Sequence, residues 1–370
     1  MRVLQIMVGA RQGGAEAFFM RLVPALARAG LEQRVVIRPH AERIGQLRDA
    51  GIETVAATFG RRFDLTTRLQ LRREIGRFRP DVVMTWMNRA TQMCPRGRFV
   101  HVARLGGYYD TKYYRRCDHL VANTEDIVRH LVDSDWPPER AHYVPNFVND
   151  STAAAAARKP LFTPPGAPVV LALGRLHRNK AFDVLIRAMR RVPDAYLWIA
   201  GEGPERAELQ ALAASLGVKP RVRFLGWRDD SAALFAAADV FVCPSRHEPL
   251  GNVVIEAWAH RVPVVAADSE GPGTLLENQA NGLLVPVEDA ETMGAAVRHL
   301  LDHPDLAGRL AAAGRAAFEA QFTEAKVVAR YLEFFQQVSG KPVPGVGNEG
   351  GEGGDQRDDR DGPCAASPAS

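Results

Sequence analysis

The sequence comprises 370 residues, 46% hydrophobic, 24% charged and 8% aromatic. At roughly 150 residues per domain this allows two sizeable cores, and it excludes both global disorder and a small disulfide-stapled scaffold. The net charge of +4 conceals an asymmetry: residues 1–150 hold 24 basic and 16 acidic side chains, residues 151–340 hold 20 and 21, and the remainder 3 and 6, so an anionic partner is expected to meet the first half.

The N-terminal MRVLQIMVGA lacks the basic run and long apolar stretch of a signal peptide and reads as a first buried strand. Further on, no apolar run reaches the roughly 18 residues of a membrane span, because Arg, Glu, Asp or Pro interrupts each one. After the first strand come AEAFFMRLVPALARAG, QRVVIRP, a helical stretch, PDVVMTW, FVHVARL and HLVAN, the βαβ rhythm of a parallel sheet. Ligands of such sheets bind beyond the carboxyl ends of the strands. Gly13 and Gly14, then Trp86, Asn88 and Arg89, then Arg104, Gly106, Gly107 and Tyr108 occupy those positions. The spacing at Gly13 and Gly14 is not GxGxxG, which disfavours a dinucleotide redox cofactor. Arg104 reads either as a cleft cation or as one half of a loop salt bridge.

Between these strands, Arg61, Arg62, Arg68, Arg72, Arg73, Arg77 and Arg79 crowd one helical segment, with Leu71, Ile75 and Phe78 at helical spacing. That pattern suits a membrane-facing helix or an ordinary solvated one. Tyr108, Tyr109, Tyr113 and Tyr114 alternate with Lys112, Arg115 and Arg116, a composition for stacking on sugars and holding anions, or equally for a membrane interface. Asp133-Ser134-Asp135 follows an amphipathic helix instead of ending an apolar strand and reads as a loop. Cysteines at 94, 117, 243 and 364 lack metal-ligand or framework spacing and fit a reducing cytosol.

After the Ala- and Pro-rich NDSTAAAAARKPLFTPPGAP the rhythm restarts with VVLALGRL, AFDVLIRAMRRV, AYLWIAG, RVRFLG, DVFVCPS and VPVVAAD. The expected fold class is therefore α/β, two doubly wound parallel-sheet domains facing across a cleft, over residues 1–160 and 165–322. A final amphipathic helix follows at 323–338, and a Gly- and Asp-rich tail at 339–370 is expected to be disordered.

In the second half, Arg175 and Lys180 flank a strand exit and a helix start, a fork and a point charge suited to a diphosphate, or else two solvated loop cations. Gly201-Glu202-Gly203-Pro204 is either a close-approach turn for a ligand or a tight exit. In EPLGNVVIEAWA, Glu248 and Glu256 are separated by seven residues. Gly251, Asn252 and Val253 there offer helix N-terminal amides, while Glu256 lies in an apolar helix and needs donors from a ligand or a structural arginine.

Taken in order, GGAE at 13–16, VPN at 144–146, GRLHRNK, GEGP and EPLGNVVIE resemble the retaining GT-B glycosyltransferases of family 4 over roughly residues 1–337. The resemblance implies two Rossmann-like domains, the first taking the acceptor and the second a nucleotide-sugar donor. It also implies a C-terminal helix crossing back to the first domain. Carried over, it implies Arg175 and Lys180 on the donor diphosphate, Glu248 on the donor sugar and Glu256 on the ribose, with Gly251 to Val253 giving amides to phosphate oxygens. The same resemblance puts Gly13, Gly14, Gly201 and Gly203 near the donor, and Trp86, Asn88, Arg89, Arg104, Gly107 and Tyr108 on the acceptor side. Family members often carry a histidine near Arg104, with His101 the alternative here, and a glycine where this chain has Ala181.

The expected activity is metal-free transfer from a nucleoside diphosphate sugar, UDP-linked by preference, to a hydroxyl of a glycan or glycolipid such as lipopolysaccharide core, with no cofactor. An anionic acceptor and cytoplasmic, peripheral contact with the inner membrane follow from the basic first half; nucleic acid is not an expected partner. The alternatives are a GT-B sugar-nucleotide epimerase and a catalytically silent GT-B binding protein.

Overall fold

The computed structural model describes residues 1–10, 13–60 and 64–343. The first sheet contains β1 (Arg2–Met7), β2 (Glu32–Ile37), β3 (Glu53–Ala56), β4 (Val82–Trp86), β5 (Val100–Leu105), β6 (His119–Ala122) and β7 (Ala141–Tyr143), in the order β3-β2-β1-β4-β5-β6-β7. The second contains β8 (Val169–Leu173), β9 (Tyr196–Ala200), β10 (Val222–Gly226), β11 (Val240–Cys243), β12 (Val264–Ala267) and β13 (Leu283–Val285), in the order β10-β9-β8-β11-β12-β13. Every pairing between these strands is parallel. Helices cover both faces, which is why the strands read as unbroken apolar runs instead of alternating ones.

Strand order reverses at β1 and β4 in one sheet and at β8 and β11 in the other. These switch points open crevices at the strand carboxyl ends. They place Val8, Ala10 and Gly14 beside Trp86–Arg89, and loop 174–181 beside loop 244–251, so the two doubly wound sheets expected from the sequence meet with their loop ends facing one cleft.

The last helix, Glu324–Ser339, lays Val327, Tyr331, Leu332 and Phe335 into the first domain's core against Phe18, Phe19, Leu22 and Trp86. Arg28 bonds Glu324 at 2.5 Å at one end of that helix, and Lys341 bonds Asp81 at 2.5 Å beyond the other. The expected disordered tail began at 339, but Ser339 completes the helix and Val343 is buried in the same core. The rest of that tail, Cys364 included, lies outside the described residues, as do Arg61 and Arg62.

Within Leu65–Phe78, the leucine and phenylalanine proposed as a membrane face turn inward: Leu71 is 0% and Phe78 7% exposed, whereas Leu65 and Leu69 are 68% and 61% exposed. The apolar stripe pays its way by covering the sheet, since Leu71 and Phe78 share a core with Leu4, Ile6 and Val83.

Candidate active site

On the second domain, the loop after β8 and the loop after β11 are sewn together. Arg246 forks onto Asp183 at 2.7 and 2.8 Å, bonds Glu288, and donates to the Arg178 carbonyl at 2.8 Å. Its backbone N–H reaches the Asn179 carbonyl at 2.8 Å. The Asp183 carboxyl is partly desolvated, yet its bonds to Arg246 hold it below the ordinary carboxylate range. This clamp brings the Lys180 ammonium onto the Glu248 carboxylate, which Ser245 also approaches at 3.4 Å. Burial is the largest single influence and lowers the Lys180 pKa, but the Glu248 charge and hydrogen bond together with Cys243 outweigh it, and the net shift is upward.

Arg175 is exposed and makes no ion pair or side-chain hydrogen bond among the described residues. Ala181, where the resembling family has glycine, is fully buried at φ 50°, a left-handed conformation costing an L-residue about 1–2 kcal/mol. The loop keeps its shape because the Arg246 clamp determines it. Gly201 and Gly203 have a packing reason: a Cβ on them would lie 1.9 Å from the Gly174 carbonyl oxygen and 2.2 Å from that of Leu176. They let the exit of β9 run against the exit of β8, the tight-exit alternative raised by the sequence.

Gly251 caps helix Asn252–Ala259 at φ 83°, a backbone conformation for which glycine is the default residue. The helix starts at the domain boundary, where Asn146 Nδ2 donates to Asn252 Oδ1 at 3.0 Å and Gly14 sits opposite Asn252. One turn in, Glu256 faces Arg21 of helix Gly14–Arg28 across the boundary, Nη1 to Oε1 3.9 Å. Burial pushes the Glu256 carboxyl up and Arg21 opposes the shift. Arg21 Nε is buried without an acceptor among the described residues. The structural arginine that the sequence left open therefore exists, and it comes from the other domain.

On the first domain, Glu16, in the first turn of the helix that Gly13 caps and Gly14 opens, folds back so that its Oε1 accepts the Ala10 N–H at 2.5 Å. Asn88 accepts from the Tyr114 hydroxyl, and Arg89 Nη1 donates to the Phe59 carbonyl at 3.2 Å. Arg104 pairs in register with Trp86 at the carboxyl end of β5. It is 5% exposed and stands 4.7 Å from the Phe18 ring and 4.9 Å from that of Trp86. It donates to the Tyr331 hydroxyl at 3.3 Å and to Asn146. The loop salt bridge considered for it is replaced by these neutral partners.

His101, the alternative, lies three residues back inside the domain, its Nε2 3.1 Å from Thr85 Oγ1. Burial pushes its pKa down to about 4 against an opposing Asp118. Between the ordinary value of 6.5 and about 4 the unfolded chain binds the extra proton, so stability is full above that window and falls as pH drops through it. His101 is expected to remove about 3 kcal/mol across this range. Urea denaturation of wild type and His101→Gln between pH 7 and pH 4 checks this, the variant showing the shallower pH dependence.

A cleft of about 750 Å³ gathers Gly14, Asn88, Arg89, Arg104, Asn146, Glu248 and Asn252, with Arg38 on its wall. Trp86 reaches this cleft only at its edge: it is 1% exposed and its Nε1 donates to the buried Gln5 at 2.9 Å, so its work is in the core. Tyr108 and Gly107 do not line it; the Tyr108 hydroxyl is turned to Asp126. Asp133 ends helix Glu125–Asp133 away from any strand exit, as read from the sequence. Arg21, Arg38, Asn146 and Arg246 were not singled out as site residues by sequence reasoning. The VPN motif was a signal for Asn146; nothing local marks the arginines among 41 of their kind.

The Glycosyltransferase Family 4 model matches residues 12–152 and the Glycosyl transferases group 1 model residues 167–303. The chain is 40% identical over 339 residues to the lipopolysaccharide core biosynthesis glycosyltransferase LpsE of Rhizobium meliloti (strain 1021), covering 90% of this chain and 97% of that one. It is 36% identical over 342 residues to LpsD of the same organism, covering 91% and 98%. Among solved structures, Anabaena Alr3699/HepE in complex with UDP and glucose superposes with TM-score 0.78 at 19% identity, covering 91% of this chain and 99% of that one. WaaG, a glycosyltransferase involved in lipopolysaccharide biosynthesis, gives 0.70 at 17%, covering 92% and 100%. The two facing parallel sheets are thus the GT-B arrangement. With both domains matched and relatives alike along nearly the whole length, the chain belongs to the family 4, group 1 glycosyltransferases.

Proposed function

We propose that the protein transfers a glycosyl group from a UDP-sugar to a hydroxyl of lipopolysaccharide core or a related lipid-linked glycan, with retained anomeric configuration and without a metal. The observation that carries the donor half is the pairing of Lys180 with Glu248 next to the amides opening helix Asn252–Ala259, with Glu248 and Asn252 both lining the cleft. Departure of a diphosphate develops negative charge, which Lys180, Arg175 and those amides neutralise. Glu248 holds donor sugar hydroxyls and Glu256 the ribose diol. With no base assigned, the leaving phosphate accepts the acceptor's proton. The two Rhizobium relatives support lipopolysaccharide core as the acceptor class, and the complexes of HepE with UDP, glucose and UDP-glucose favour a uridine donor. Among the described residues no helix is long and apolar enough to cross a membrane; the reading is of a cytoplasmic enzyme held peripherally at the inner membrane.

Nucleotide release from UDP-, GDP-, ADP- and TDP-sugars, with and without EDTA, tests this. EDTA-insensitive release from the UDP-sugar alone is expected; EDTA-dependent release, or preference for another base, overturns that part of the reading.

Glu256→Ala is expected to weaken UDP binding by about 2–3 kcal/mol, since it removes a charged acceptor for two hydroxyls. Only the carboxylate accepts both hydroxyls, so UDP affinity rises with pH through the elevated Glu256 titration. Arg21 opposes that elevation, and Arg21→Met is expected to move the inflection to still higher pH. Calorimetry with UDP from pH 4.5 to 8.5 reads it; coincident profiles would show that Arg21 does not act on Glu256.

A further inference from the structure

Beside the cleft the first domain holds a second depression, of about 620 Å³, whose lining includes Arg68, Arg89, Lys112, Arg115 and Arg116 and, among the described residues, no carboxylate. Lys112 is paired with Asp110 at 2.5 Å, and Asp110 also feels the charge of Arg115. Arg68, Arg115 and Arg116 form no ion pair or side-chain hydrogen bond among the described residues. Arg89 lines both depressions. Phe59, at φ 47°, turns its carbonyl so that Arg89 and the cleft residue Arg38 donate to it together, at 3.2 and 3.3 Å. Two guanidiniums converging on one neutral oxygen retain most of their donors and all of their charge.

A concave surface of like charges carries a repulsive cost in the folded protein that an anion removes. The guanidinium fork matches the oxygens of a phosphoryl group two at a time. Tyr113, 40% exposed with the Lys112 ammonium 5.0 Å from its ring, adds a flat face beside the cations, of the kind that stacks on a sugar ring. We propose that this groove binds a phosphoryl substituent of the acceptor glycan, held next to the part of the acceptor that enters the cleft past Arg89. The assignment rests on the glycosyl-transfer reading above for the word acceptor, and on the arginine geometry for the phosphate.

The test uses glucose 6-phosphate and glucose as probes on the full chain saturated with UDP, so that the donor site is filled. Glucose 6-phosphate is expected to bind and glucose not to. The Arg68→Gln/Arg115→Gln/Arg116→Gln variant is expected to bind glucose 6-phosphate about tenfold more weakly, with UDP affinity and melting temperature unchanged. A charge-matched control, Arg187→Gln/Arg190→Gln/Arg309→Gln on the second domain, is expected to behave as wild type. Equal affinity in the groove variant and wild type overturns the proposal, as does an equal loss in the control. Vesicles of phosphatidylcholine with phosphatidylglycerol separate the two sources of phosphate: arginine-dependent vesicle binding without glucose 6-phosphate binding assigns the groove to membrane headgroups and overturns the acceptor role. Failure of UDP to bind would sink the donor reading, while arginine-dependent glucose 6-phosphate binding would still establish the phosphate site.

Discussion

Lys180→Ala is expected to lower kcat/KM by roughly a hundredfold to a thousandfold, about 3–4 kcal/mol, the cost typical of removing one preorganised donor to a developing charge. The same change strips the Glu248 carboxylate of its ion pair, leaving the Ser245 hydroxyl at 3.4 Å. Because the pair is partly solvated, with side chains 25% and 12% exposed, the stability cost is smaller, about 1–3 kcal/mol. The two effects separate in the double variant Lys180→Met/Glu248→Gln. Removing both charges together returns stability close to wild type while activity stays low. A Lys180→Ala enzyme within about threefold of wild type in kcat/KM would remove Lys180 from the diphosphate site. Arg246→Ala should resemble it in part, since the loop carrying Lys180 is held by that arginine's bonds to Asp183, Glu288 and the Arg178 carbonyl.

Arg104→Met is expected to destabilise the protein by about 2–4 kcal/mol, read as a fall in melting temperature of some 2–4 °C per kcal/mol. Arg104 is buried and, among the described residues, has only neutral partners, so its loss leaves the fully buried Tyr331 hydroxyl and the Asn146 side-chain carbonyl without their donor. Two ring faces, of Phe18 and Trp86, also lose a cation at under 5 Å. Arg104→Lys is not expected to rescue, since an ammonium cannot donate in two directions while lying flat between rings. Tyr331→Phe removes a single bond and should cost about 1 kcal/mol. The loss has a second consequence at the domain boundary, because Asn146 passes the connection on to Asn252 at 3.0 Å. Arg104→Met should therefore loosen the domain arrangement, measured as a broader distance distribution between spin labels on the two domains. A variant as stable as wild type with unchanged distances would show that Arg104 is not this hub.

The two sheets and the places of their loops could be read from the chain because a parallel sheet covered on both faces writes itself as apolar runs at regular spacing. Glu248 and Glu256 were legible for a related reason: a carboxylate inside VVIEAWA must find a donor. The membrane-facing reading of Leu71 and Phe78 failed on the same grounds that made the strands legible. A stripe at helical spacing states that one face is covered, without saying by what, and here it is covered by β1 and β4.

Sequence by itself determined which residues form the strands, where the glycine-opened loops fall, and which charged side chains end at a strand exit, because those follow from local periodicity and backbone conformation. Tertiary structure alone decided the pairings: Arg21 with Glu256 across 235 positions of chain, Arg104 with Tyr331 across 227, and Arg38 with Arg89 on one carbonyl. Each depends on the folding of one domain against another or of one loop over a strand end. Electrostatic energy depends on separation in space and on burial, and neither quantity is written in the spacing of residues along a chain.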